Sequence, residues 1–231
     1  MAEETEEAPP HYLGHRQRLR ERFLAAGGEA LPDYELLELL LCVAVPRKDM
    51  KPLAKALMAR FGSFAGVISA EPQALREIAG LGETSVVALK VVREAAIRLA
   101  RQQVLKRPVI ATWDALMDYV LAALGHAQQE EFHLLFLDRK GALIADECQQ
   151  KGTIDHTPVY PREVVKRALE VAASSVIMVH NHPSGDPKPS KGDIEMTRTV
   201  RDALKMVSVT LHDHIVVGRG SYVSFKSQEL L

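Results

Sequence analysis

Between Ser174 and Asp193 the chain leaves itself few ways to fold. Val176-Ile177-Met178-Val179 is short, β-branched and wholly apolar, and Ser174-Ser175 bounds it, which is the pattern of a buried strand. His180-Asn181-His182 follows at once. The next residues, Pro183-Ser184-Gly185-Asp186-Pro187-Lys188-Pro189, cannot continue the strand. The chain must therefore leave a buried sheet, turn, and start again at Ser190-Lys191-Gly192-Asp193, whose Ser-x-x-Asp spacing is a helix start. Extended backbone points residues i and i+2 the same way, so His180 and His182 converge at the strand exit while Asn181 points elsewhere. Asp193 falls on the first turn of the helix. Two imidazoles and one carboxylate, with room for a water, make the ligand set of a catalytic zinc site; a structural site more often closes with a fourth protein ligand, usually Cys.

The string His-x-His-x7-Ser-x-x-Asp is similar to the JAMM motif of the JAB/MPN metallopeptidases, and His-Asn-His-Pro-Ser-Gly-Asp-Pro resembles the form found in RadC proteins. The resemblance to RadC covers nearly the whole chain. It implies an α/β (α+β) protein: an N-terminal helical bundle with a helix-hairpin-helix-like region, then a JAB/MPN-like mixed sheet flanked by helices. It also implies Zn2+ held by His180, His182 and Asp193, a peptide or protein substrate, and the family's traditional association with DNA repair.

With 231 residues the chain is long enough for two small domains, and its 47% hydrophobic and 26% charged content is that of an ordinary soluble protein. A net charge of −1 excludes a global electrostatic pull toward nucleic acid or membrane, so such a partner would need a local patch. Cys42 and Cys148 lie far apart without a Cys-x-x-Cys, which argues against both a disulfide framework and a thiolate zinc site and fits a reducing cytoplasm. Residues 1–13 begin with an acidic stretch lacking an apolar core and are expected to be a disordered tail, and no run reaches the ~18 apolar residues of a membrane span.

Residues 14–105 read as helical. Arg16 to Phe23 opens one helix, which Gly27-Gly28 stops. Asp33 is the expected cap of Tyr34 to Leu41, whose leucines demand burial, and Lys51 to Phe61 carries Leu53, Leu57 and Phe61 on one face. From Leu75 to Lys90, Gly80-Leu81-Gly82 separates two helical patterns. Gly80 and Gly82 permit φ > 0 and leave amides of the following helix open to a phosphate oxygen, so this hairpin is the candidate for weak, sequence-independent DNA contact. Equally, such a hairpin packs two helices, and Glu83 beside it repels phosphate. The basic run Arg16, Arg18, Arg20, Arg22 is either a second DNA-contacting patch or a solvated face.

The helix from Thr84 to about Gln103 ends at the linker Val104 to Pro108, and residues 109–231 form the metal-binding domain. There Thr112 is the expected cap of a helix over Trp113 to Leu124. Glu130 to Asp138 and Ala142 to Glu147 pair across Arg139-Lys140-Gly141, and Pro161 starts a helix with Val164, Val165, Ala168, Leu169 and Ala172 on its apolar face. After the motif strand and the Asp193 helix come strands over Ser208 to Gly218 and Tyr222 to Phe225. His212 and His214 are expected to share one face of the first of these in a structural or supporting role. His126, His133 and His156 are assigned nothing.

Zinc hydrolysis of an amide needs a general base beyond the ligands, and the candidates are Glu130, Glu131, Glu147 and Glu163. The JAMM resemblance puts the catalytic glutamate at the start of the first strand. Glu130 matches the family's Glu-x-Phe spacing through Phe132, and alternation places Glu131 on the opposite face. Glu163, in the first turn after Pro161, is the runner-up. The resemblance further implies that the Ser190 hydroxyl donates to a developing oxyanion, while its Ser-x-x-Asp setting also makes it a helix cap.

Overall fold

The computed structural model describes residues 14–46, 48–105, 107–152 and 159–231, so the expected tail at 1–13 and His156 lie outside the described residues. The chain divides into two compact units, 1–93 and 94–231.

The first unit is helical. Helices α1 (His15–Ala26), α2 (Asp33–Ala44), α3 (Lys51–Phe61), α4 (Phe64–Ser69) and α5 (Pro72–Arg76) lead into the start of α6 (Glu83–Val104). Leu37, Leu41, Leu53, Leu57, Val67, Leu75 and Leu89 bury together as its core, so the leucines of α2 do sit between neighbours. Gly27 and Gly62 close α1 and α3 with positive φ. Asp33 departs from expectation. It is the first residue of α2 rather than its cap, and its carboxylate accepts from the Phe64 amide at the head of α4. The helix before the glycine hairpin is also shorter than its sequence pattern, ending at Arg76.

The division at 93/94 falls inside α6, ahead of the linker read from sequence. Its second half supplies Ile97, Ala100 and the fully buried Val104 to the core of the second unit. Leu105 and Pro108 then bridge to Leu143 and Ala142, so the linker backbone is itself tied to a strand turn. Helix α7 (Trp113–Leu124) follows. Thr112 precedes it, but its hydroxyl donates back to the Pro108 carbonyl instead of capping the helix amides.

Among the described residues the sheet has five strands, β1 (Glu130–Leu137), β2 (Leu143–Gly152), β3 (Ser175–Asn181), β4 (Thr210–Val217) and β5 (Tyr222–Ser224), in the order β2-β1-β3-β4-β5. β3 and β4 run parallel, and the other described pairs are antiparallel. Helices α8 (Pro161–Glu170) and α9 (Lys191–Lys205) precede and follow β3. Alternation along the strands feeds two cores. Leu135, Leu137, Ile177, Val179, Ile215 and Val217 face α7; Phe132, Leu134, Phe136, Val176 and Met178 face the side of α8 and α9, where Val164, Val200 and Leu204 meet them. Leu169, expected on the buried face of α8, is 54% exposed. The result is the mixed α/β architecture expected of the second domain. Among the described residues, no helix is long and apolar enough to cross a membrane.

Candidate metal centre

Strand β3 is buried from Val176 to Asn181, so His180 is carried into the protein with only 1% of its surface exposed. The β3–α9 turn is pinned to the end of β4: the His182 amide donates to the Val217 carbonyl and the Arg219 amide to that of Gly185. A side chain at Gly218 would collide with the Gly185 carbonyl and Pro187, so glycine is required for this approach. Ser190 then caps α9 in a reciprocal capping box: its Oγ accepts from the Asp193 amide at 3.1 Å, and Asp193 Oδ2 accepts from the Ser190 amide at 2.6 Å. Both Asp193 oxygens still face the histidines, Oδ1 toward His180 and Oδ2 toward His182.

Ligand atoms of three residues converge. His180 Nε2 lies 3.0 Å from His182 Nε2 and 3.3 Å from Asp193 Oδ1, and His182 Nε2 lies 3.4 Å from Asp193 Oδ2. Ligand atoms at zinc distances of about 2.0–2.2 Å in a tetrahedron are separated by about 3.3–3.5 Å, so this set fits with small adjustment. The hydrogen bonds behind the rings fit as well. His182 Nδ1 lies 2.9 Å from the Asp186 carbonyl, which can only accept, so Nδ1 carries the proton and Nε2 keeps its lone pair. His180 Nδ1 lies 2.8 Å from Nε2 of His214, itself fully buried. The donor set, two imidazole nitrogens and one carboxylate oxygen converging on one point, calls for a cation.

The electrostatics agree. Burial opposes the charge on Asp193, but His180 and His182 override it and hold the carboxyl well below the usual carboxylate range. His182 is raised, chiefly by the Asp193 carboxylate beside its Nε2, which favours the protonated ring. Burial pushes His214 far below an ordinary histidine, so it is neutral.

Of the four candidate bases, Glu131 lies on the α7 face, as alternation requires, where His133 and Lys151 engage it. Glu147 is held by the Arg167 guanidinium, and Glu163 pairs with Arg162. Glu130 shares the face of Phe132, which pairs with His180 and stacks on its ring, and the charge of Glu130 helps to raise His182.

Other residues differ from expectation. Asn181 does point away from the ligands, yet its amide is bonded throughout: Oδ1 accepts from the Glu131 amide, and Nδ2 donates to the carbonyls of Gln129 and Ala127. It therefore clamps the backbone on both sides of Glu130. His212 and His214 do not share a face, because β4 steps from the pair Val176–Leu211 to Ile177–Asp213 and leaves His212 as a bulge. His212 lines an open pocket with Trp113, Tyr222 and Lys226, while His214 meets His180. His133 is not solitary: Asp146 and Glu131 flank its ring, and Tyr119 donates to Asp146. Glu131, His133 and Cys148 bring ligand-type atoms within 4.8 Å. Burial opposes a charge on His133, but its hydrogen bonds to Asp146 and Glu131 raise it from 6.5 to about 9. Glu131-x-His133 lies on one strand, but Asp146 and Cys148 reach it only through the pairing of β1 with β2, which has no signature in linear sequence.

In the first unit, Gly80 adopts φ +86° and its carbonyl accepts from Lys48, while Arg76 and Glu83 form an ion pair across the hairpin at Gly82. Arg16 donates to the carbonyl of Cys42 in the last turn of α2 and to those of Val45 and Lys48 beyond it, and Arg22 pairs with Glu35.

Residues 110–230 match the model of the RadC-like JAB domain, and residues 11–87 match that of the UPF0758 N-terminal region. A UPF0758 protein of Rhodobacter capsulatus is 58% identical over 213 residues, covering 92% of this chain and all of the relative. A UPF0758 protein of Ruegeria pomeroyi is 51% identical over 223 residues, covering 96% and 100%. With the strand-borne histidines, the capped aspartate and the mixed sheet in place, the chain belongs to the RadC-like JAB-domain (UPF0758) family.

Proposed function

We propose that this protein is a zinc-dependent hydrolase of the JAMM type that cleaves peptide or isopeptide bonds in the cytoplasm. One observation carries the reading: His180 Nε2, His182 Nε2 and Asp193 oxygens stand 3.0–3.4 Å apart, with the second nitrogen of each imidazole already bonded elsewhere. Zinc at such a centre supplies Lewis acidity, polarising a carbonyl and bringing a water's pKa to about 7.

The chain's own residues supply the rest. His180 is enclosed, whereas 19% of the His182 side chain and 14% of Asp193 are exposed, so substrate approaches from the side of the β3–α9 turn. Glu130, on the ligand face at the start of β1, takes the proton of the attacking water and delivers it to the departing amine. The Ser190 Oγ accepts from the Asp193 amide, which leaves its own proton available for an oxyanion; capping and catalysis are compatible in one hydroxyl.

The test is Glu130→Gln assayed on a peptide library. The variant is expected to keep its fold and zinc and to lose on the order of 10²–10⁴ in rate. Normal turnover by Glu130→Gln, with loss instead in Glu163→Gln, would move the base to α8. Chelator-sensitive cleavage of plasmid DNA without peptide turnover would replace the peptidase reading by a nuclease. In the basic run, Arg16 and Arg22 are engaged within the helical unit, which weighs against that run as a nucleic-acid patch.

A further inference from the structure

We propose that Thr197 and His214 are positioning residues that lock His180 in the tautomer whose Nε2 is free to bind metal. The proposal deepens the zinc reading and rests on it. Thr197 lies one turn after Asp193 on α9 and is fully buried. Its Oγ1 is 2.5 Å from the Asp193 carbonyl and 2.6 Å from His214 Nδ1. A hydroxyl has one proton, and a carbonyl can only accept, so the proton goes to Asp193 and a lone pair of Thr197 receives the Nδ1–H of His214. The ring of His214 is 0% exposed and lies against Phe225 and Phe132, with centroids 4.5 and 6.1 Å away. A second proton would bury an imidazolium there, so Nε2 of His214 is a lone pair. It accepts from Nδ1 of His180 at 2.8 Å, and His180 Nε2 is left bare, facing His182 and Asp193.

The opposite order is chemically available and would disable the centre. If Thr197 donated to His214 Nδ1, the Nε2–H of His214 would donate to His180 Nδ1 and leave a proton on His180 Nε2, where the metal belongs. The Asp193 carbonyl selects between the two. The relay therefore starts on the backbone of the same residue whose side chain is a ligand, and α9 sets both ends.

Thr197→Val keeps the shape and removes the acceptor, whereas Thr197→Ser retains it. Should the valine variant not fold, Thr197→Ala removes the same acceptor. In chelator-treated protein at mildly alkaline pH, imidazole 15N shifts should report His180 protonated on Nδ1 in the wild type and in Thr197→Ser, and on Nε2 in Thr197→Val. Zinc competition against a chromophoric chelator should show affinity weakened about 10–100-fold in Thr197→Val and near wild type in Thr197→Ser. Two results would overturn the proposal: a Thr197→Val protein that keeps the Nδ1 proton and full affinity, or a Thr197→Ser protein that loses as much as Thr197→Val. Failure of the wild type to bind zinc would sink the zinc reading alone, since the tautomer is read without metal.

Discussion

Replacing His133 should remove a pH-dependent part of the stability of the second unit. Its Nδ1 and Nε2 each lie 3.3 Å from a carboxylate, Asp146 and Glu131, and the ring is 17% exposed. Burial pulls its pKa down, and hydrogen bonds to Asp146 and Glu131 outweigh that and raise it from 6.5 to about 9. The folded value lies above the unfolded one, so the stabilisation is fully present below about pH 6.5 and is lost as pH rises through about 9. At about 1.4 kcal/mol per unit, linkage gives roughly 2.5 kcal/mol at pH 7 and under about 0.5 at pH 9, a loss of about 2; solvent screening of the exposed edge makes this an upper figure. The nearest groups do not obscure the window. Burial and Asp146 push the Tyr119 hydroxyl up and Glu131 and Asp146 are lowered, so these titrate outside it. The Cys148 thiol, raised by burial, costs stability near pH 9 in both proteins and cancels in their difference. Urea unfolding of the wild type and His133→Gln at pH 7 and pH 9 should show the gap between them shrinking by about 2 kcal/mol. Parallel loss in the two proteins would refute the assignment of the charge to His133.

Elemental analysis of protein purified without added metal should find near-stoichiometric zinc, and His182→Ala should lose it; undiminished zinc in that variant would remove His182 from the ligand set. Asn181→Ala leaves the Glu131 amide and Gln129 carbonyl without their partner and should cost about 1–3 kcal/mol, read by denaturation, with zinc retained; wild-type stability would show that the clamp is dispensable. Any DNA binding should be weak, indifferent to sequence and steeply salt-dependent, with a slope of about −0.9 per phosphate neutralised. Gly82→Glu, at a position where an added Cβ meets nothing within 4 Å, should abolish it; equal binding by that variant would exclude the hairpin.

The convergence of His180, His182 and Asp193 was legible because its information is local. A four-residue apolar run sets the strand, two-residue alternation aligns His180 with His182, and Ser-x-x-Asp places Asp193 by helix-cap chemistry that needs no tertiary partner. The same alternation separated Glu130 from Glu131. What stayed hidden depends on contacts distant in sequence. His133 meets Asp146 only through the β1–β2 register, and His214 meets His180 only once β3 and β4 lie parallel. The bulge at His212 has no local mark either, since it arises from how β4 must slide to fit β3. In the helical unit, Asp33 has the residue type of a cap but serves a different helix, which propensity alone cannot reveal. The end of α5 at Arg76 is likewise set by packing, because the apolar pattern continues beyond it.

Strands β1 and β3 each carry two interleaved texts. Read at even positions they spell Glu130, Phe132, His180 and His182; read at odd positions they spell Glu131, His133, Val179 and Asn181, a proton-holding network and a backbone clamp on the far side of one peptide layer. Point substitutions in one text should leave the other readable, so Glu130 and His133, three residues apart, ought to behave as independent sites. A deletion of one residue before β1 would be a frameshift in space. Where the register slips with it, Glu131 moves to the ligand side, Phe132 takes its place on the far face and His133 turns away from Asp146, which makes the length of the segment between Leu124 and Glu130 a constraint on the site.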